Sequence, residues 1–350
     1  MQKNNPFSIA FGKEPKQLVS RAVSEEEIYD VFDDEDPASQ VYIITGVRGY
    51  GKTVMMTSVA RHYSNKKEWV VINLNPTRDL LVQLAANLYE NDKLISLFIN
   101  SQINLSAFGI GIGTSTQPPI SDIEIAIRKL LAKVKKSGKR VLITIDEATN
   151  SEYIRVFTSA FQIMIREEQP IFLLMTGLYE NIKNLQNDKA LTFLYRAPSV
   201  ELKPLSMAAM EAKYINVFDC STEEARKLAA LTKGYPYAFQ VLGYLKWNGM
   251  SSWDALLMNF DIYMEERVYE KIWSELSEKD KEILVFLAKQ GKAKTADIIS
   301  QNGHSQSTYS TYRSRLQKRG LIDTTTYGYA ELALPRFEIF IQNRIMDCRI

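Results

Sequence analysis

Residues 46–53 read Gly46-Val47-Arg48-Gly49-Tyr50-Gly51-Lys52-Thr53. The β-branched run VYIITG ends on the first glycine, and a helical pattern runs from Thr53 to Tyr63 behind them. Few spacings constrain a chain so tightly. Three glycines in six positions let the backbone wrap so that its N–H groups point inward. The helix behind adds the positive end of its dipole, and Lys52 adds a full charge. G-x-x-x-x-G-K-T between a strand and a helix is the phosphate-loop pattern. Gly46 through Val54 are therefore expected to cradle the phosphates of a nucleotide. Lys52 would lie on the β- and γ-phosphates, and the Thr53 hydroxyl on Mg²⁺.

Such a loop needs a carboxylate at the end of a neighbouring strand. Val141-Leu-Ile-Thr-Ile145 is a buried-strand pattern that delivers Asp146-Glu147 at its carboxyl end, the edge where open parallel sheets bind ligands. Asp146 is expected to hold Mg²⁺, and Glu147 to act as general base toward an attacking water. The adjacent acid pair favours hydrolysis over binding alone. A further buried run, Ile171–Met175, ends in Thr176-Gly177, which brings to the same edge a hydroxyl expected to sense the γ-phosphate.

The pattern around these motifs alternates strand and helix. WVVINLN follows the first helix, Leu80–Glu90 and Asp92–Ile99 read as helices, and Ile120–Lys135 and Tyr153–Glu168 flank the Asp146 strand. Alternation of this length predicts an α/β fold with a parallel sheet covered on both faces. Residues 103–114 (INLSAFGIGIGT) interrupt it with a period of two, a strand or small hairpin. The acidic stretch Glu25–Asp36 reads as a solvated helix and loop. After residue 205 the strands stop, and helical patterns cover 207–218, 222–232, 237–247, 253–276 and 279–289. The expected boundaries are 1–205 for the sheet domain with its leading segment, 206–276 for a helical lid and 277–350 for a C-terminal unit.

That last unit reads as three helices and a β pair. Ser277 and Asp280 cap the first helix, Thr295–Gln301 is the second, and Ser307–Arg319 is the third, ended by Gly320. Two short strands then flank Gly328. This is the order of a winged helix-turn-helix. Arg313, Arg315, Lys318 and Arg319 lie on the third helix, and no acidic residue occurs from 305 to 320. Residues 305–320, with a wing at 321–335, are thus the candidate contact with double-stranded DNA. Tyr309 and Tyr312 fit a core as well as a DNA face.

Composition narrows the remaining choices. The 350 residues carry 43 Lys+Arg against 41 Asp+Glu, so any basic face is local. Two cysteines far apart, Cys220 and Cys348, make no disulfide framework and point to a reducing cytoplasm. With only two histidines, His62 and His304, a histidine-based metal centre is not expected. No apolar run approaches a membrane span.

Three segments carry a further likeness: L-T-F-L-Y-R-A-P over 191–198 with Pro204-Leu205-Ser206, G-Y-P-Y-x-x-Q-x-x-G-Y over 234–244, and Asn5-Pro6-Phe7 with Phe11-Gly12 and Leu18-Val-Ser-Arg21. With the two loop motifs they resemble bacterial AAA+ ATPases related to the origin-recognition and initiator ATPases, over nearly the whole chain. The resemblance implies a P-loop AAA+ core, a helical lid and a C-terminal winged helix, with ATP or ADP and Mg²⁺ as ligands. It also implies that Arg196 is an arginine finger. That finger would serve a neighbouring subunit, in a homo-oligomer or with a partner protein. Gly234 and Pro236 would set the turn that opens the lid helix over the nucleotide. Two departures stand out. Ser20-Arg21-Ala22 replaces the Gly-Arg-acidic segment expected near the adenine, and the lid helix carries Lys246 where many relatives have an arginine. The expected activity is ATP hydrolysis coupled to DNA or partner binding. The alternative is a slow STAND-like signalling or defence switch whose winged helix packs internally. A small-molecule kinase is a third option, which nothing in the C-terminal 150 residues supports.

Overall fold

The computed structural model describes residues 4–10, 15–98, 122–250, 252–301, 303 and 305–347. The 103–114 insertion, His304 and Cys348 lie outside the described residues. By contacts the chain forms two compact units. One comprises 21–45 and 52–201, and the other 1–20, 46–51 and 202–350.

The first unit is built on a sheet. Its elements are α1 (Ala22–Asp33), β1 (Val41–Gly46), α2 (Lys52–Ser64), β2 (Trp69–Leu74), α3 (Leu80–Glu90), α4 (Ile95–Phe98), α5 (Ile123–Lys136), β3 (Arg140–Ile145), α6 (Glu152–Arg166), β4 (Ile171–Gly177), α7 (Tyr179–Gln186), a 3₁₀ turn (Lys189–Arg196) and β5 (Ser199–Leu202). The strand order is β2-β3-β4-β1-β5, with parallel pairing across β2–β3, β3–β4 and β4–β1. Because side chains alternate across a strand, each face has its own core. Val41, Ile43, Val141, Ile143, Ile171 and Leu173 pack under α3, α5 and α6. On the opposite face Tyr63 and Phe172 meet Phe32 of α1, and Trp69 packs against both of them. That contact corrects the reading of α1 as merely solvated: Ile28 and Phe32, one turn apart, are fully buried beneath its acidic face. The short edge strand β5 was not expected either. Its residues alternate exposed and buried.

The second unit begins with lid helices α8 (Met207–Phe218), α9 (Thr222–Leu231), α10 (Pro236–Trp247) and α11 (Trp253–Met264), the last continuing through a π-helical stretch (Glu265–Tyr269) into α12 (Glu270–Ser274). The winged-helix part follows as α13 (Glu278–Gln290), β6 (Ala293–Lys294), α14 (Thr295–Gln301), α15 (Gln306–Lys318), β7 (Ile322–Asp323), β8 (Tyr329–Leu332) and α16 (Phe337–Asp347). The Ser277–Asp280 capping box starts α13 as expected. A third strand, β6, pairs with β8, and α16 packs along α13; neither was anticipated. The single helix expected over 253–276 is one continuous run from Trp253 to Ser274, with the π-helical stretch inside it.

The N-terminal segment belongs to the lid. The buried Phe7 ring stacks on Phe218 and meets Phe239 edge-on. A Cβ on Gly243 would come 2.3 Å from that ring, so the helix needs glycine there. Gln240 of α10 accepts from the Ser8 amide at 3.0 Å and donates to the Gln17 carbonyl at 2.7 Å.

Candidate functional site

β1 carries the chain to Gly46, and α2 starts at Lys52, so the glycine loop lies between a buried strand and a helix N-terminus. Gly49 and Gly51 have φ of +80° and +84°, values that cost glycine nothing and other residues about 1–2 kcal/mol. A Cβ on Gly51 would meet nothing within 4 Å, leaving open space before the cradle.

In the sheet unit, β3 and β4 bring polar groups together. Asp146 Oδ2 accepts from Thr53 Oγ1 at 2.8 Å, and Asp146 Oδ1 accepts from Thr176 Oγ1 and from the Glu147 amide. That amide also reaches Thr176 Oγ1 at 3.2 Å. Thr176 is fully buried, so its hydroxyl fixes the carboxylate. Glu147 takes φ +54°, a left-handed backbone unusual for a non-glycine residue and characteristic of functional turns. Its side chain is exposed and, among the described residues, carries no hydrogen bond or ion pair. The Thr53 hydroxyl and Asp146 carboxylate converge as hard oxygen donors, a set that suits Mg²⁺. A cleft of about 400 Å³ extends from Asp146 along α2, lined by Thr57, Arg61, Asn73 and Thr144 among others. The Thr144 hydroxyl donates to Asn73 on the neighbouring strand.

The remaining candidates fall elsewhere. Arg196 ends the 3₁₀ turn, exposed beside the exposed Tyr195, and makes no side-chain hydrogen bond or ion pair among the described residues. Pro236 occupies the first position of α10 behind Gly234, whose φ is +75°. Between them stands Tyr235, which sequence reasoning did not single out. In the second unit its hydroxyl donates to the Arg48 carbonyl at 2.7 Å, its ring packs edge-on against Tyr50, and a Cβ on Gly49 would overlap its oxygen. Burial pushes the Tyr235 phenol far above its usual range, so it stays a proton donor. Lys246, at the departure noted in the lid helix, is held by Glu224 over the Phe218 ring.

The α15 cations are less free than their number suggests. Arg315 forms a fork with the buried Asp280 at 2.6 and 3.1 Å and lies over the Tyr312 ring. Arg319 bonds the Glu275 carbonyl and carboxylate. Tyr309 is core. The exposed start of the helix is uncharged: Gln306, Ser307, Thr308, Ser310 and Thr311. Tyr327, at the wing turn, is 99% exposed.

Residues 266–341 match the model of a domain of unknown function, DUF8462. No curated protein matches the chain. Among solved structures, the Aeropyrum pernix ORC2 protein in its ADPNP–ADP complexes is similar with a TM-score of 0.60 and 14% identity, covering 97% of each chain. The ADP form of the same protein gives 0.51 and 13% identity over the same shares. A five-stranded 2-3-4-1-5 sheet, a helical lid and a small C-terminal winged helix thus give this chain the fold of the Aeropyrum pernix ORC2 protein.

Proposed function

We propose that this chain binds ATP and ADP at residues 46–54 and hydrolyses ATP. The observation that carries the reading is the convergence of Thr53, Thr176 and the Glu147 amide on Asp146, directly after a strand, with Thr53 following the glycine loop in sequence. Lys52 would neutralise developing phosphate charge. Mg²⁺, held by Thr53 and Asp146, would supply charge neutralisation between the phosphates. Thr176 keeps Asp146 oriented for that metal. Glu147, exposed at a strained position and with its side chain unpaired among the described residues, would take the proton of the attacking water. The similar ORC2 structures contain ADPNP or ADP, which supports the nucleotide assignment. Arg196, exposed and unpaired, is suited to reach the γ-phosphate of a neighbouring subunit. Glu147→Gln is expected to keep ATP bound while turnover falls by about 10²–10⁴; undiminished turnover would remove Glu147 as the base.

The winged-helix shape supports coupling of nucleotide state to double-stranded DNA through 305–320 and the 321–335 wing. One observation favours the switch-like alternative: Arg315 and Arg319 are engaged inside their own unit. In that reading hydrolysis is slow and the winged helix packs internally. A DNA affinity titrated with salt separates the two, because phosphate contacts give a steep salt dependence.

A further inference from the structure

Within the second unit the phosphate loop is gripped at two adjacent residues, by the end of α15 and by Glu275 at the end of α12. Val47 lies against Gly320, where α15 ends. A Cβ on Gly320 would stand 2.3 Å from Val47 Cγ2, and φ is +65° there. Glycine is thus required twice, once by the turn and once by the loop packed on it. One residue on, Arg48 Nη2 lies 3.5 Å from Glu275 Oε1. The same carboxylate takes Lys271 at 3.1 Å and Arg319 at 3.5 Å, and the Glu275 carbonyl accepts from Arg319 Nη1 at 3.2 Å. Glu275 is therefore shared by cations of the loop, of α12 and of the end of the recognition helix. Tyr235 holds the loop from the lid through the Arg48 carbonyl. Phosphate binding by the 46–51 backbone accounts for none of these contacts.

We propose that Glu275 and the Val47–Gly320 contact form a latch that couples the conformation of the phosphate loop to docking of the recognition helix, with Glu275 as a positioning residue for the loop. The proposal deepens the nucleotide reading and rests on it. Val47 and Arg48 sit one to four residues before Gly49 and Gly51, so a change in the cradle on entry or loss of phosphate moves them. The Gly320 contact has no slack, and Glu275 binds Arg48 and Arg319 together. The movement therefore reaches the end of α15. Coupling of this kind is reciprocal: a docked helix holds the cradle preformed, and a preformed cradle releases its ligand more slowly.

The test is a double-mutant cycle on the full chain, read as the release rate of fluorescently labelled ADP. Gly320→Ala is expected to speed release about tenfold when residue 47 is valine, and by less than about twofold in the Val47→Ala background, where the clashing methyls are gone. Equal factors in both backgrounds would overturn the latch, because strain at the turn alone is blind to residue 47. A second arm needs no nucleotide. Glu275→Gln is expected to raise amide hydrogen exchange in 46–51 and in 316–320 together, with α9 unchanged. A rise confined to one of the two segments would overturn the proposal. Wild-type protein that binds no ADP would remove the nucleotide reading, while the exchange arm still decides the latch.

Discussion

At the carboxyl end of β3 and along α15 the molecule uses polar side chains in opposite ways. Around Asp146, two hydroxyls and an amide converge on one carboxylate, and the neighbouring Glu147 side chain has no partner among the described residues. Along α15, charges that could face a polyanion turn inward instead: Arg315 to a buried aspartate and Arg319 to Glu275. The first arrangement fixes some groups and leaves one exposed. The second uses charge to hold a small domain together. A spacing motif predicts the first because local backbone geometry dictates it. A count of cations cannot distinguish the second from a DNA face, because their partners lie 35 to 44 residues away in sequence.

The contrast can be broken at either end. The largest effect is expected at Arg196: replacement by Ala should lower ATP turnover by about 10³ or more if it reaches a neighbour's phosphate. Mixing that variant with Lys52→Ala should restore part of the activity, and steady-state phosphate release checks both. No recovery on mixing would argue for a site completed within one chain. Next comes Asp280→Ala. It removes a buried carboxylate and half of a capping box, and should cost about 3 kcal/mol, at the low end for a broken buried pair because Arg315 can still reach water. Urea unfolding measures it, and a loss under about 1 kcal/mol would mean that the pair is a surface contact in solution. The smallest effect concerns DNA. If Arg315 is structural, Arg315→Ala should shift the log–log salt slope of any DNA affinity by less than the roughly 0.9 expected for one lost phosphate contact. A full unit of change would return Arg315 to the DNA face.

Much of the sheet unit was legible because its strands are continuous β-branched runs and its helices have clear periods; Leu80–Glu90 is bounded as the sequence suggests, with Asp79 as its N-cap. The candidate site residues at 46–54, 146, 147 and 176 could be proposed for the same reason. What escaped detection was short or long-range. β5 has four residues, β6 two, and the Ile28–Phe32 stripe of α1 is a single turn set among acids. The π stretch at 265–269 has no compositional sign. Tyr235 and Glu275 hold the loop from 187 and 227 residues away, pairings that no local pattern encodes.

The measurement that bears most directly on the central claim is calorimetric titration of Mg-ATP and Mg-ADP into the wild type and Lys52→Ala. Saturable binding of both nucleotides by the wild type, lost in the variant while its unfolding transition is retained, is the predicted result. A wild type indifferent to both nucleotides, or a variant that binds them as well as the wild type does, would contradict it.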